Sequence, residues 1–218
     1  MFRRSFALIP HAHFRSVAVG ALALVLLSGC QGGSTPPETS TTTATPTSSA
    51  SEAGTRTPPP TSSGPYKPAD ATGKAQNVPV PVMPALAKEN TKEGLEAFIR
   101  YWYAVGNYAN ETGDILELRS LSTPECQPCA YFQRASSDGY TNGRWLVGGR
   151  VHLPSVNVIW NVEDEEHQAT VQVVQDAVSY YNADGSPGRL SDPPSNDAFV
   201  IVASFQSGWK VVDTGVIR

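Results

Sequence analysis

The chain has 218 residues, 40% of them hydrophobic and 17% charged, with a formal net charge of -4. An acidic balance argues against a nucleic-acid binder, which must neutralise phosphates, and against a protein that lies flat on anionic lipid.

In chain order, the first segment reads as an export signal. Arg3, Arg4 and Arg15 stand there without an acid, an apolar or small run extends from Val17 to Leu27, and Leu27-Ser28-Gly29-Cys30 follows. A positive start, a short apolar stretch and small residues before a cut site make a cleavable leader. The run is too short to span a bilayer, which takes about 20 residues. Leu27-Ser28-Gly29-Cys30 resembles the lipobox of bacterial lipoproteins, whose cysteine receives a diacylglycerol before cleavage. The resemblance implies a signal peptide over 1–29 and a lipidated Cys30 on the extracytoplasmic face of the cell membrane. Two acyl chains anchor stably where one does not. Cleavage would remove three of the 16 basic residues and none of the 20 acids, leaving a mature net charge of -7.

Residues 30–85 read as a tether. Residues 31–65 hold 17 Ser or Thr, and residues 31–85 hold 11 of the 18 prolines. Such a segment buries too little apolar area to offset its ordering entropy, so disorder is expected up to Ala85. As a coil it would span roughly 40 Å, and fully extended around 170 Å. The Ser/Thr/Pro composition also suits an O-glycosylated stalk, but a bare spacer is the plainer reading.

A single α+β domain is expected over 86–218. Asn90-Thr91-Lys92-Glu93 reads as a capping box. Behind it Leu95, Phe98, Ile99, Trp102 and Tyr103 fall at helical spacing, predicting a helix to about Asn110. A shorter helix follows over 114–121, and a third starts near Pro128 and stops before Gly139. After Asn142-Gly143 the period changes to two, giving strands over 144–152, 156–162, 169–181, 198–206 and 209–217. Asp184-Gly185 and Ser207-Gly208 read as turns between neighbouring strands. Helices followed by a mainly antiparallel meander predict helices packed on a curved sheet. That order resembles the cone-like nuclear-transport-factor-2-like fold.

Tyr101-Trp102-Tyr103, Leu118-Arg119-Ser120-Leu121-Ser122 and Pro124-Glu125-Cys126-Gln127-Pro128-Cys129 resemble an uncharacterised family of actinobacterial lipoproteins. The resemblance spans nearly the whole expected domain. It implies an address and an architecture, with no activity attached.

Lipidation of Cys30 would leave Cys126 and Cys129, an even count in an oxidising compartment, and a short-loop disulfide at a helix start is expected. The rival reading is thiol-disulfide catalysis. It lacks the preceding buried strand, and Glu125 beside Cys126 opposes a low thiol pKa. His152 and His167 are not ligand-spaced, so no metal site is expected. Glu163-Asp164-Glu165-Glu166 reads as a solvated hairpin tip rather than a calcium loop. No phosphate loop or catalytic motif occurs, and neither catalytic residues nor a cofactor is predicted. Trp102, Tyr103 and Trp160 are candidate pocket-lining residues, with simple core filling as the plainer reading. The expected function is a non-enzymatic envelope module that binds a small molecule or another envelope protein. An enzyme with an acid–base site inside the cone is the alternative.

Overall fold

The computed structural model describes residues 64–218. Cys30, the leader and residues 30–63 of the expected tether lie outside the described residues. Helix α1 (Lys92–Thr112) is followed by α2 (Leu116–Ser120) and α3 (Gln127–Asp138). Seven strands come after: β1 (Trp145–Gly148), β2 (Val151–His152), β3 (Val156–Ile159), β4 (Glu166–Gln175), β5 (Val178–Tyr181), β6 (Ser195–Phe205) and β7 (Trp209–Val216). The domain is α+β, with few helices and antiparallel strand pairing throughout the named strands.

The long helix forms where its apolar spacing predicts. Leu95, Phe98, Ile99, Trp102, Tyr103 and Val105 bury one face, and Gly113 ends the helix at φ 78° with its N–H on the Ala109 carbonyl at 2.8 Å. The cap is corrected by one residue: Thr91, not Asn90, accepts from the Gly94 N–H at 3.0 Å. The third helical position is therefore Gly94 rather than Glu93, which rules out a reciprocal capping box. Only glycine fits there, because a Cβ would lie 2.2 Å from the Glu89 carbonyl oxygen.

β4 is the spine of the larger sheet. β6 pairs along one of its edges, with register Ala169 to Ile201, while β2 and β3 share the other. β7 extends the sheet from β6, with an irregularity between Val202 and Ala203. The inward row of Val156, Ala169, Val171, Ile201, Ala203 and Val211 meets the apolar face of α1 in one buried cluster. The loop after α2 closes part of the β7 edge, where Val211 exchanges backbone bonds with Leu121 and Thr123 at 2.9 Å.

Two expected strands are each broken in two. The stretch 144–152 divides at Gly148 and Gly149, at φ 79° and 72°, and 169–181 divides at Asp176 and Ala177. The breaks face one another: Gly149 N–H donates to Ala177 and Asp176 N–H to Arg150, both at 2.9 Å. A Cβ on Gly148 would stand 2.2 Å from the Ala177 oxygen. Glycine thus lets the chain leave the larger sheet, and β1 pairs with β5 as a separate two-stranded sheet. Asp184-Gly185 does turn, but it returns the chain along β5 through residues 186–192 and does not lead directly into β6.

The tether boundary also moves. Residues 64–85 were expected to belong to the disordered spacer. Here Lys67 pairs with Gln76 and Asp70 with Gly73, while Tyr66 Oη donates to Glu111 at 2.8 Å and Trp145 Nε1 donates to the Asp70 carbonyl at 2.9 Å. Polar and backbone bonds hold a segment too poor in large aliphatics to signal a fold. Among the described residues no helix is long and apolar enough to cross a membrane.

Candidate functional site

Cys126 and Cys129 form a disulfide, with Cα atoms 5.2 Å apart. Cys126 occupies the cap of α3, its sulfur accepting the Cys129 N–H at 3.3 Å, and Pro128 sits in the first turn, where a missing N–H costs nothing. The two residues are 1% and 0% exposed, so no exchanging thiol reaches the sulfurs while the helix start stays folded.

Trp102, Tyr103 and Trp160 divide between two aromatic groups. Trp102 is buried, donates from Nε1 to Ser122 Oγ at 3.2 Å, and meets Tyr103 edge-on at 4.9 Å. Burial raises the Tyr103 hydroxyl well above its ordinary pKa. Trp160 belongs to a second aromatic group, stacked on His167 at 3.9 Å and edge-on to Trp209 at 6.2 Å. Both groups fill space between helix and sheet. His167 is buried with its Nδ1 unpartnered, whereas His152 reaches Asp176 at 3.3 Å on the surface. The carboxylates of 163–166 are exposed at the tip between β3 and β4, where Asn161 Nδ2 holds Asp164 at 3.1 Å. Among the described residues no three His, Cys, Asp or Glu side chains gather as a metal-binding group.

The cleft lies elsewhere. A cavity of about 520 Å³ opens between α3 and the β1–β5 sheet, within the usual range of about 300–1,000 Å³ for small-molecule sites. Five aromatic residues line it: Tyr131, Phe132, Trp145, Tyr180 and Tyr181. Tyr131 is 71% exposed, which leaves its ring open to solvent. Trp145 and Tyr181, opposite each other in the β1–β5 register, stack at 5.5 Å and 13°. The amides of Asn110, Gln175 and Asn182 share the lining.

One wall is electrostatically closed on itself. Arg189 lies over the Tyr180 ring at 3.6 Å and pairs with Asp192 at 2.9 Å. Tyr180 Oη donates to the same carboxylate at 2.5 Å. Burial, then the bond to Asp192, pushes the Tyr180 hydroxyl up to about 12. The Tyr180 hydrogen bond in turn holds the Asp192 carboxyl below its ordinary value. Cation, anion and phenol satisfy one another, so this wall presents shape and an aromatic edge more than net charge.

No sequence period flagged this cleft. The available signals were local: the Gly148-Gly149 break, the exposed Tyr131 on the polar face of α3, and the Gly-, Pro- and Ser-rich stretch 182–194 carrying a lone Arg189. Together these features define a disulfide-capped α+β domain with an aromatic cleft beside a secondary two-stranded sheet.

Residues 64–215 match a family of unknown function (DUF6318), and the chain belongs to that family. No curated protein matches it. Among solved structures, the intermembrane space region of chloroplast protein ARC6 is similar at 11% identity and TM-score 0.44, covering 60% of this chain and 98% of that one. A Pseudomonas putida KT2440 protein described as a candidate polyketide cyclase is similar at 15% identity and TM-score 0.33, covering 56% of this chain and 89% of that one. At these scores neither likeness assigns a fold or an activity here.

Proposed function

We propose that this protein is an exported lipoprotein, anchored through lipid on Cys30 at the extracytoplasmic face of the membrane, whose domain binds a small neutral ligand in the aromatic cleft. The tether of this reading runs from Cys30 to about residue 63, and the domain begins near Gly64. The packing of α1 against the sheet supports the finer cone-like reading of the fold. It also supports a binding site outside that cone, since Trp102 and Tyr103 occupy the interior.

The observation that carries the reading is the lining itself: the exposed Tyr131 ring and the half-buried rings of Phe132, Tyr180 and Tyr181, with side-chain amides, around a charged pair that is already neutralised. Ring faces stack on flat apolar surfaces, and amides donate and accept at once. A saccharide has both properties, an apolar pyranose face rimmed by hydroxyls. Titration of a panel of neutral mono- and disaccharides, read by tryptophan fluorescence because Trp145 lines the cleft, is expected to show saturable binding that Tyr131→Ala weakens about tenfold. Absence of saturation across the panel removes the ligand class. Anchoring has its own test in intact-mass measurement of native protein, which should find a diacylated Cys30 at the N-terminus. A free sulfur at that position, or a retained leader, removes the address.

A further inference from the structure

Residues 65–77 supply no lining residue to the aromatic cleft, yet they hold one of its walls. The segment folds back on itself as a small hairpin. Lys67 and Gln76 exchange backbone bonds at 3.0 and 2.9 Å, Asp70 N–H donates to Gly73 at 3.0 Å, and Asn77 Nδ2 donates to the Pro65 carbonyl at 3.1 Å. We infer that this hairpin is a clamp that positions Trp145 for ligand binding, with Asp70 as the positioning residue. That role rests on the reading of the cleft as the ligand site.

Trp145 is 5% exposed, and a buried indole N–H needs an acceptor. Its acceptor is the Asp70 carbonyl at 2.9 Å, 75 residues earlier in the chain. Tyr181 stacks on the face of the same ring at 5.5 Å and 13°. One face and one edge are thus fixed, and the edge depends on the hairpin alone. The Asp70 carbonyl is itself held in place by a side-chain turn: Asp70 Oδ1 accepts from the Thr72 N–H at 2.7 Å and from the Thr72 hydroxyl at 2.5 Å. Those two bonds keep the Asp70 carboxyl below its ordinary pKa, so the acceptor stays charged at neutral pH. Gly73 N–H returns to the Asp70 carbonyl at 3.3 Å and closes the turn.

The hairpin is also fastened to other parts of the cleft's frame. Tyr66 Oη donates to Glu111 at 2.8 Å, and the other oxygen of that carboxylate takes Arg150 at 3.0 Å, just past the Gly148-Gly149 break. Lys74 stands over the Tyr140 ring at 5.5 Å, and Tyr140 Oη donates to the carbonyl of Asn110, a lining residue, at 2.8 Å. A ligand site tolerates displacements of only about 0.5 Å, so a ring held at one edge from outside the cleft makes that outside contact part of the site's precision.

Indole hydrogen exchange by NMR on the full chain tests the clamp, with Trp102 and Trp209 as internal controls because their N–H groups bond Ser122 Oγ and the Glu89 carbonyl. Asp70→Ala, which removes the turn acceptor, and Gln76→Pro, which removes an N–H from the hairpin, should each speed exchange at Trp145 about fivefold while both controls keep their rates. Asp70→Asn retains an Oδ1 acceptor and should restore the wild-type rate. Neutral mono- and disaccharides should bind Asp70→Ala about fivefold more weakly than wild type, and Asp70→Asn normally. Trp145 exchange unchanged in both loosened variants, or rising in step with Trp102 and Trp209, overturns the clamp. Faster Trp145 exchange with unaltered saccharide binding overturns its role in the site. If wild-type protein binds no saccharide, the ligand class falls, and exchange alone decides whether the hairpin holds the ring.

Discussion

Trp102 distinguishes a filled interior from a pocket, because the two readings assign opposite costs to its removal. The indole is 3% exposed, sits 4.9 Å from Tyr103 and 5.9 Å from Phe132, and ties α1 to the loop after α2 through Ser122. Truncating a buried Trp to Ala costs about 3–5 kcal/mol, from lost transfer energy and the cavity left behind. Ser122 keeps the Leu118 carbonyl as partner, so no hydroxyl is orphaned and the estimate needs no large addition. Trp102→Phe retains most of the apolar contact but loses the N–H donor, and should cost about 1–2 kcal/mol. Against a total of about 5–15 kcal/mol for a domain, Trp102→Ala should leave the protein marginal. Urea unfolding followed by circular dichroism measures this, with an unchanged slope expected. Tyr131→Ala, at a 71% exposed position, should stay within about 0.5 kcal/mol in the same assay. If Trp102→Ala falls within 1 kcal/mol of wild type, the ring lines open space and the filled-interior argument fails.

Three further outcomes follow from single features. The Cys126–Cys129 loop is short, so Cys126→Ala with Cys129→Ala should lower stability by about 2 kcal/mol, and mild reductant should leave the native bond oxidised; rapid alkylation of both thiols under native conditions contradicts the burial argument. Gly94→Ala forces a Cβ to 2.2 Å from backbone and should cost about 2 kcal/mol or more, whereas Gly73→Ala, with nothing within 4 Å, should cost less than about 0.5 kcal/mol by thermal unfolding; equal effects refute the close-approach reading. Asp192 is depressed when folded, so its stabilising contribution is present above the ordinary carboxylate range and is lost as pH falls through its folded value. Tyr180→Phe should move the Asp192 midpoint up toward an ordinary carboxylate in an NMR titration, and an unmoved midpoint refutes the Tyr180 assignment.

The helical half of the domain was legible because its information is local. The spacing Leu95, Phe98, Ile99, Trp102 is the same in sequence and in space, and α3 takes Pro128 into its first turn and stops before Gly139. The sheet was legible in its strands but not in its division. Nothing in 144–152 or 169–181 says that two breaks will meet and hydrogen-bond across Gly149 and Ala177. The start of the domain was hidden for a different reason. Tyr66 and Asp70 are tied to Glu111 and Trp145, 45 and 75 residues away, by bonds that hydrophobicity does not register. The cleft combines both difficulties, since Tyr131, Trp145, Tyr180 and Arg189 come from four segments and become neighbours only when the second sheet forms. Trp102, Tyr103 and Trp160 drew attention as large aromatics. Large aromatics mostly fill cores, as Trp102 and Tyr103 do.

Helix α3 separates the aromatic cleft from a second cavity of about 360 Å³ that Arg119 and Arg134 line. Tyr131, Phe132, Ala135 and Asp138 line the aromatic cleft, while Ala130, Gln133 and Arg134 line the arginine cavity. At 3.6 residues per turn these two sets lie on different faces of one helix. The helix is fixed against α1 by Ser136 Oγ on Asn110 Oδ1 at 2.7 Å, and by a close approach in which a Cβ on Gly106 would stand 3.0 Å from the Phe132 ring. The disulfide fixes its first turn. A bond worth about 2 kcal/mol matters little to a stable fold, but binding groups tolerate displacements of only about 0.5 Å. Pro124 and Ala130 flank the disulfide and belong to the arginine cavity, whereas the cleft draws on strands β1 and β5 far from it. Removing the bond should therefore leave saccharide binding in the cleft within about twofold of wild type, at a temperature where both proteins remain folded. A larger loss would mean that the bond acts on α3 as a rigid whole rather than on its first turn.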